Sequence, residues 1–167
     1  MNGKLLIFML LIAACASAPQ PTDPCDLLAN DDILAIQGAA PLSAHATSHT
    51  SGDVTVSQCF YLLPEQSRSV TLEITTARNV RELWEKQFEP NEKQENEKEP
   101  TETHAIEVKG IGRDAFWGGN RVSGALFVLT RGAILRVSIG GGGDVAMKME
   151  HAKILTRAAL KAMRTED

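Results

Sequence analysis

Between Val70 and Thr75 the chain alternates: Val70, Leu72 and Ile74 are apolar, while Thr71, Glu73 and Thr75 are polar. A period of two predicts a strand with one face buried and one face wet. The run from Val54 to Leu62 shares that period. Pro64 to Ser69 between the two runs supplies turn residues, so the pair predicts a hairpin. At Asn79 the period changes. Asn79 and Glu82 stand at capping-box spacing, Val80, Leu83, Trp84 and Phe88 recur at helical intervals, and Pro90 ends the helix. An earlier helix is predicted from Asn30 to Gln37, with Asn30 as cap, Asp31 and Asp32 complementing the dipole and Gly38 as the left-handed stop. Strands resume with Ile106 and Val108, then Asp114 to Trp117 before a Gly118-Gly119-Asn120 turn. Arg121 to Thr130 and Ala133 to Ile139 follow, joined through Arg131-Gly132. Leu126 to Leu129 are apolar on both faces, which predicts a central strand covered on both sides. Asp144 caps a last helix whose Val145, Met149, Ala152, Leu155, Ala159 and Met163 form one apolar stripe. Two stretches carry no such pattern. Ser43 to Asp53 is small and polar and reads as a loop or frayed strand, and 91–103 is a charged excursion with nothing to bury. The order α-β-β-α-β-β-β-α predicts an α+β fold, an antiparallel sheet with packed helices.

The N-terminus follows a different logic. Lys4 precedes ten apolar residues, Leu5 to Ala14. That is about half of the ~20 residues that a membrane-spanning helix needs, so the run reads as an export signal. Ile12-Ala13-Ala14-Cys15 has the form of a bacterial lipobox, in which the cysteine receives lipid before cleavage. The competing cleavage pattern is Ala16-Ser17-Ala18, which would release a soluble periplasmic or secreted protein; an uncleaved anchor is the third reading. The expected organisation is a signal peptide over 1–15, a proline-rich tether over 16–24, and one domain over 25–164. Where there are two membranes, Ala16 after the lipidated cysteine resembles lipoproteins sent to the outer one.

Composition and charge narrow the partners. The formal charge is −4, and the lysines and arginines are scattered along the sequence with no basic stripe. This argues against nucleic acid, and against a domain held to anionic lipid by charge alone. Only 5% of the residues are aromatic, so aliphatic side chains must fill the core. Of three cysteines, lipidation would use Cys15, leaving Cys25 and Cys59 as an even pair, which in an oxidising compartment predicts a disulfide.

His45, His49 and Asp53 would share a helix face and could ligate a metal, but the residues between them make a poor helix, and a loop with incidental histidines is the better reading. Glu150-His151 lacks the second histidine of a zinc-protease helix. Gly140 to Gly143 lack the Lys-Ser/Thr of a phosphate loop and read as a permissive turn. Trp117 reads as a packing residue rather than a ligand platform. No catalytic residue, metal or cofactor is expected.

Cys25-Asp26-Leu27-Leu28, Gly38, Cys59-Phe60-Tyr61 and Gly110-Ile111-Gly112-Arg113-Asp114-Ala115-Phe116-Trp117 come in that order. The series resembles small bacterial envelope lipoproteins grouped as domains of unknown function, with the pattern C-x-L-L, L-G, C-x-Y and G-[IV]-G-x-x-A-[FY]-W. Ile36-Gln37-Gly38 departs from the usual Leu-Gly, and Arg113 replaces a commoner acidic residue. The resemblance implies a PsbP-like sheet sandwiched by helices and offers no active site to carry over. The favoured expectation is a membrane-anchored, non-enzymatic lipoprotein that binds an envelope protein or small ligand through its sheet or loops. The alternatives are an envelope hydrolase or metal-dependent enzyme, and a purely structural envelope protein. A pocket where His, Asp and Glu converge would favour an enzyme; an open groove or sheet edge would favour binding.

Overall fold

The period-two runs assemble into one antiparallel sheet. In the computed structural model, residues 23–88, 106–141 and 143–165 are described. The expectations for the leader 1–15 with Cys15, for 16–22 of the tether, for Pro90, for the charged segment 91–103 and for Gly142 lie outside the described residues. A 3-10 turn, Pro24–Leu27, is followed by α1 (Asn30–Gln37), β1 (Ser43–Ser51), β2 (Val54–Leu62), β3 (Val70–Ala77) and α2 (Val80–Phe88). Then come β4 (Ile106–Glu107), β5 (Asp114–Gly119), β6 (Ser123–Leu129), β7 (Ile134–Gly140) and α3 (Val145–Thr165). The strand order is β1-β2-β3-β7-β6-β5-β4, every pair antiparallel. Two meanders therefore meet where β3 pairs with β7. This is the expected α+β class with one more strand on each side of α2. The segment read as a loop, Ser43 to Asp53, forms β1, an edge strand in unbroken register with β2. It lacks hydrophobic alternation because both its faces are exposed, so the backbone ladder holds it, with cross-strand hydroxyl pairs Ser48–Ser57 and Thr50–Thr55 at 3.0 and 2.9 Å.

Register puts one apolar row straight across the sheet: Cys59, Leu72, Val137, Leu126 and Trp117 are successive partners, each fully buried. α3 lies over this face. Its Ala152, Leu155 and Ala159 are completely buried, with Val145, Met149 and Met163 packed at the margin, so the stripe expected from the sequence is the one that docks. The small alanines let the helix axis approach the sheet closely. Asp144 caps α3, its carboxylate accepting from the Ala146 N–H at 2.6 Å. Near the start of α3 the buried Lys148 ammonium donates to the Asn120 and Arg121 carbonyls and ties the helix to the β5–β6 turn.

The other face carries α2. Val80 and Trp84 pack on Leu129 and Ile134, and Trp84, Phe88, Phe116 and Phe127 form an aromatic cluster with ring centroids 4.2 to 5.7 Å apart. This explains why β6 is apolar on both sides. The Asn79 carboxamide and Glu82 cap α2 reciprocally, the Glu82 N–H donating to Asn79 Oδ1 and Asn79 Nδ2 to Glu82 Oε2. At α1 the capping differs from expectation. Asn30 is the first helical residue, and Asp32 reaches back to accept from the Ala29 N–H at 3.3 Å. Gly38 does supply the left-handed stop, at φ 74°.

The 3-10 turn at the start of the domain is pinned twice. Cys25 and Cys59 form a disulfide with their Cα atoms 5.0 Å apart. Beside it the Tyr61 hydroxyl donates to the carbonyls of Pro24 and Cys25 at 3.2 and 3.1 Å. Pro24, expected in the tether, is the buried first residue of this turn, and Asp23 caps it, accepting from the Cys25 N–H at 2.8 Å.

Candidate functional site

The β4–β5 connection, Val108 to Arg113, is a short loop with two buried anchors. Val108 and Ile111 are 7% and 6% exposed, and the loop closes through Val108 N–H to Ala115 O and Arg113 N–H to Leu129 O. Gly110 and Gly112 take φ of 79° and 65°, which a side chain disfavours. Gly112 is also needed for space: a Cβ there would lie 2.3 Å from Val128 Cγ1 and 2.7 Å from the Leu129 carbonyl. Thus Gly110-Ile111-Gly112 holds the loop against the sheet, while Lys109 and Arg113 project outward.

The last turns of α3 lie beside this loop. Arg157, Lys161 and Arg164, at intervals of four and three, share one face of the helix. With Leu160 and Gly110 to Gly112 they line a cavity of about 220 Å³. A second cavity of about 210 Å³ is lined by Glu107 to Phe116 and shares Gly110 to Gly112 with the first. Five cations, Lys109, Arg113, Arg157, Lys161 and Arg164, are thereby brought to one end of the domain, and all five are exposed. Among the described residues none of the five has a carboxylate within 4 Å. Of the two acids in the second cavity, Glu107 is exposed, and Asp114 is held by Arg81 at 2.6 Å. Among the described residues the result is a local excess of positive charge, on a chain of formal charge −4. Scattered along the sequence, these cations are gathered by the fold around two cavities that share Gly110 to Gly112. The helical spacing of Arg157, Lys161 and Arg164 was the available signal, but Lys109 and Arg113 become its partners only through the fold.

This end of the domain is remote from where the chain enters. The row Asp114, Leu129, Ile134, Thr75 marks the sheet end beside the cavities, and the row Tyr61, Val70, Ile139, Gly124 marks the end carrying the 3-10 turn. Five residue steps of β3, Val70 to Thr75, separate them, about 17 Å along the strand.

The other residues singled out in the sequence do not converge. His45 and His49 lie on exposed β1 and Asp53 in the turn after it. Four strand residues span about 13 Å, so the two histidines cannot share a cation. Among the described residues no three His, Cys, Asp or Glu stand close enough to hold a metal. The His45 ring meets Ser43 Oγ at 3.0 Å, and Glu150 pairs with Lys153 at 2.7 Å rather than with His151. Trp117 is wholly buried, its ring covering Gly124, where a Cβ would come within 2.1 Å of Cζ2. Gly140 is a packing glycine: a Cβ there would lie 1.9 Å from the Ser67 carbonyl oxygen. Among the described residues no helix is long and apolar enough to cross a membrane. No family model matches the chain, and neither curated proteins nor solved structures give a significant match.

Proposed function

We propose that this protein is an exported lipoprotein, anchored through Cys15, whose domain is a non-enzymatic binding module for an anionic component of the bacterial envelope. The observation that carries the binding reading is the cationic end: five exposed Lys and Arg side chains from two elements, unpaired among the described residues, around two open cavities. Arg guanidinium groups match the planar geometry of phosphate and carboxylate oxygens, and the left-handed glycines leave the loop backbone accessible between them. The disulfide supports the export reading, since such bonds persist in oxidising compartments. The row beside the cationic end lies about 17 Å along β3 from the row beside the 3-10 turn, so the proposed ligand would be met at the opposite end of the sheet from that turn.

Titration with linear polyphosphate, and with polyglutamate as the carboxylate comparison, tests this reading. Saturable binding that weakens with salt and falls at least ~tenfold in Arg157→Glu/Lys161→Glu is expected. Stronger binding of one polymer identifies the anion. Absence of binding to both, or equal binding by the variant, would overturn the assignment.

A further inference from the structure

β1 is the outer strand on one side of the sheet. Among the described residues it pairs with β2 alone, and eight of its nine residues are exposed. Its outer side therefore presents a row of backbone donors and acceptors without strand partners. The opposite edge is kept short, since β4 has only two residues. Proteins ordinarily blunt a long edge with lysine, proline, a bulge or an inward charge. From Ser43 to Ser51 there is no Lys, Arg, Asp, Glu or Pro, and the register with β2 runs unbroken from Ser43↔Leu62 to Ser51↔Val54. The charged groups on the segments next to β1 are Asp53 in the following turn and Asp23 and Asp26 around the 3-10 turn, so none lies in the strand itself.

The sequence of this edge is close to a palindrome: Ser-Ala-His-Ala-Thr-Ser-His-Thr-Ser. Turned about a twofold axis through Thr47, a second copy sets Ser43 opposite the partner's Ser51 and Ala44 opposite the partner's Thr50. His45 then faces the partner's His49, Ala46 the partner's Ser48, and Thr47 the partner's Thr47. Each cross-strand pair joins identical or similarly small side chains, no Lys, Arg, Asp or Glu meets its like, and the two His45–His49 pairs face each other without repulsion when the imidazoles are neutral. This is the one antiparallel register in which all nine residues pair. It also keeps each face continuous, because odd positions meet odd positions. A twofold interface must be complementary to itself, and this strand is.

We propose that the protein pairs with a second copy of itself through β1, antiparallel and centred on Thr47, so that two seven-stranded sheets become one continuous sheet. The pairing is independent of the cationic end, which lies with β4 and β5 on the other side of the sheet.

The test uses the full chain with Cys15→Ser, so that no free thiol remains beside the bonded pair, and adds single cysteines. Across the axis the Thr47 Cα atoms would lie about 4.5–5.5 Å apart, whereas two Ser43 residues would be about 27 Å apart. Thr47→Cys is expected to give a covalent dimer with a short bis-maleimide. Ser43→Cys alone is expected to give none, but to couple when mixed with Ser51→Cys. Thr47→Lys is expected to lower the dimer fraction at least ~tenfold in sedimentation, since like charges would then face each other at the axis. A monomeric parent chain, coupling of Ser43→Cys alone as readily as of Thr47→Cys, a dimer indifferent to Thr47→Lys, or coupling of Thr47→Cys only to a different protein would each overturn the proposal.

Discussion

Tyr61 shows how much one side chain can owe to residues far away in sequence. In the alternating run of β2 it reads as one more apolar position, and it is indeed only 1% exposed. Its hydroxyl, however, reaches carbonyls 36 and 37 residues earlier in the chain. Burial is the main reason its phenol is pushed up to about 12, with nearby Asp23 and Asp26 adding to the rise. The sign of the consequence follows from linkage. The unfolded phenol ionises near its ordinary value of 10 while the folded one does not, so the contribution is intact below that value. It is lost as the pH rises from about 10 toward about 12, up to roughly 2–3 kcal/mol. Chemical denaturation at a series of alkaline pH values should show this fall in the parent chain. Tyr61→Phe should start about 1 kcal/mol less stable at neutral pH, from the lost hydrogen bonds, and decline less steeply. Parallel declines in the two proteins would contradict the argument.

Elements differ in what makes them legible. α2, α3 and β3 bury one face each against a neighbour, and that burial demands the periodicities seen in the sequence. β1 buries neither face, so nothing in its side chains had to be apolar, and its strand character comes from the ladder with β2. The 3-10 turn at the start of the domain is too short to show any period. Cys25 marked its position, and the bond to Cys59 clamps it to the sheet beside the Tyr61 hydrogen bonds. Closing the 34-residue separation should contribute up to about 4 kcal/mol by restricting the unfolded chain. Cys25→Ser and Cys59→Ser should therefore each lower the denaturation midpoint, leaving the remaining thiol reactive. Reduction of the parent chain should have the same effect, with little further loss in either variant. A midpoint unchanged by substitution would mean that the turn is held by the Tyr61 contacts and packing alone.

At the scale of the whole molecule the two proposed surfaces lie on opposite margins of the sheet, the self-pairing edge at β1 and the cationic end beside β4 and β5. A pair joined through β1 would carry its two cationic ends on its far sides. The proposed lipid on Cys15 would hold both copies in one plane, where raised local concentration favours edge pairing. Mass spectrometry of the N-terminal peptide is expected to show acyl mass on Cys15, and Cys15→Ser to move the protein from the membrane to the soluble fraction. An unmodified terminus at Pro19 would support simple secretion instead. What the sequence determined by itself was local: periods of two and 3.6, the left-handed stop at Gly38, the Asp144 cap, and the odd-and-even count of cysteines. The periods and caps are legible because each is a relation between residues a few positions apart, governed by backbone geometry, and the cysteine count is legible from composition alone. What only the tertiary structure decided was which distant residues meet. The packing of α3 on β6 and β7 set its last turns beside the β4–β5 loop, so that Arg157, Lys161 and Arg164 line a cavity with Gly110 to Gly112, next to the one lined by Lys109 and Arg113. Solvated cations bury nothing and so leave no period linking loop to helix; their convergence follows from packing of the apolar residues beneath them.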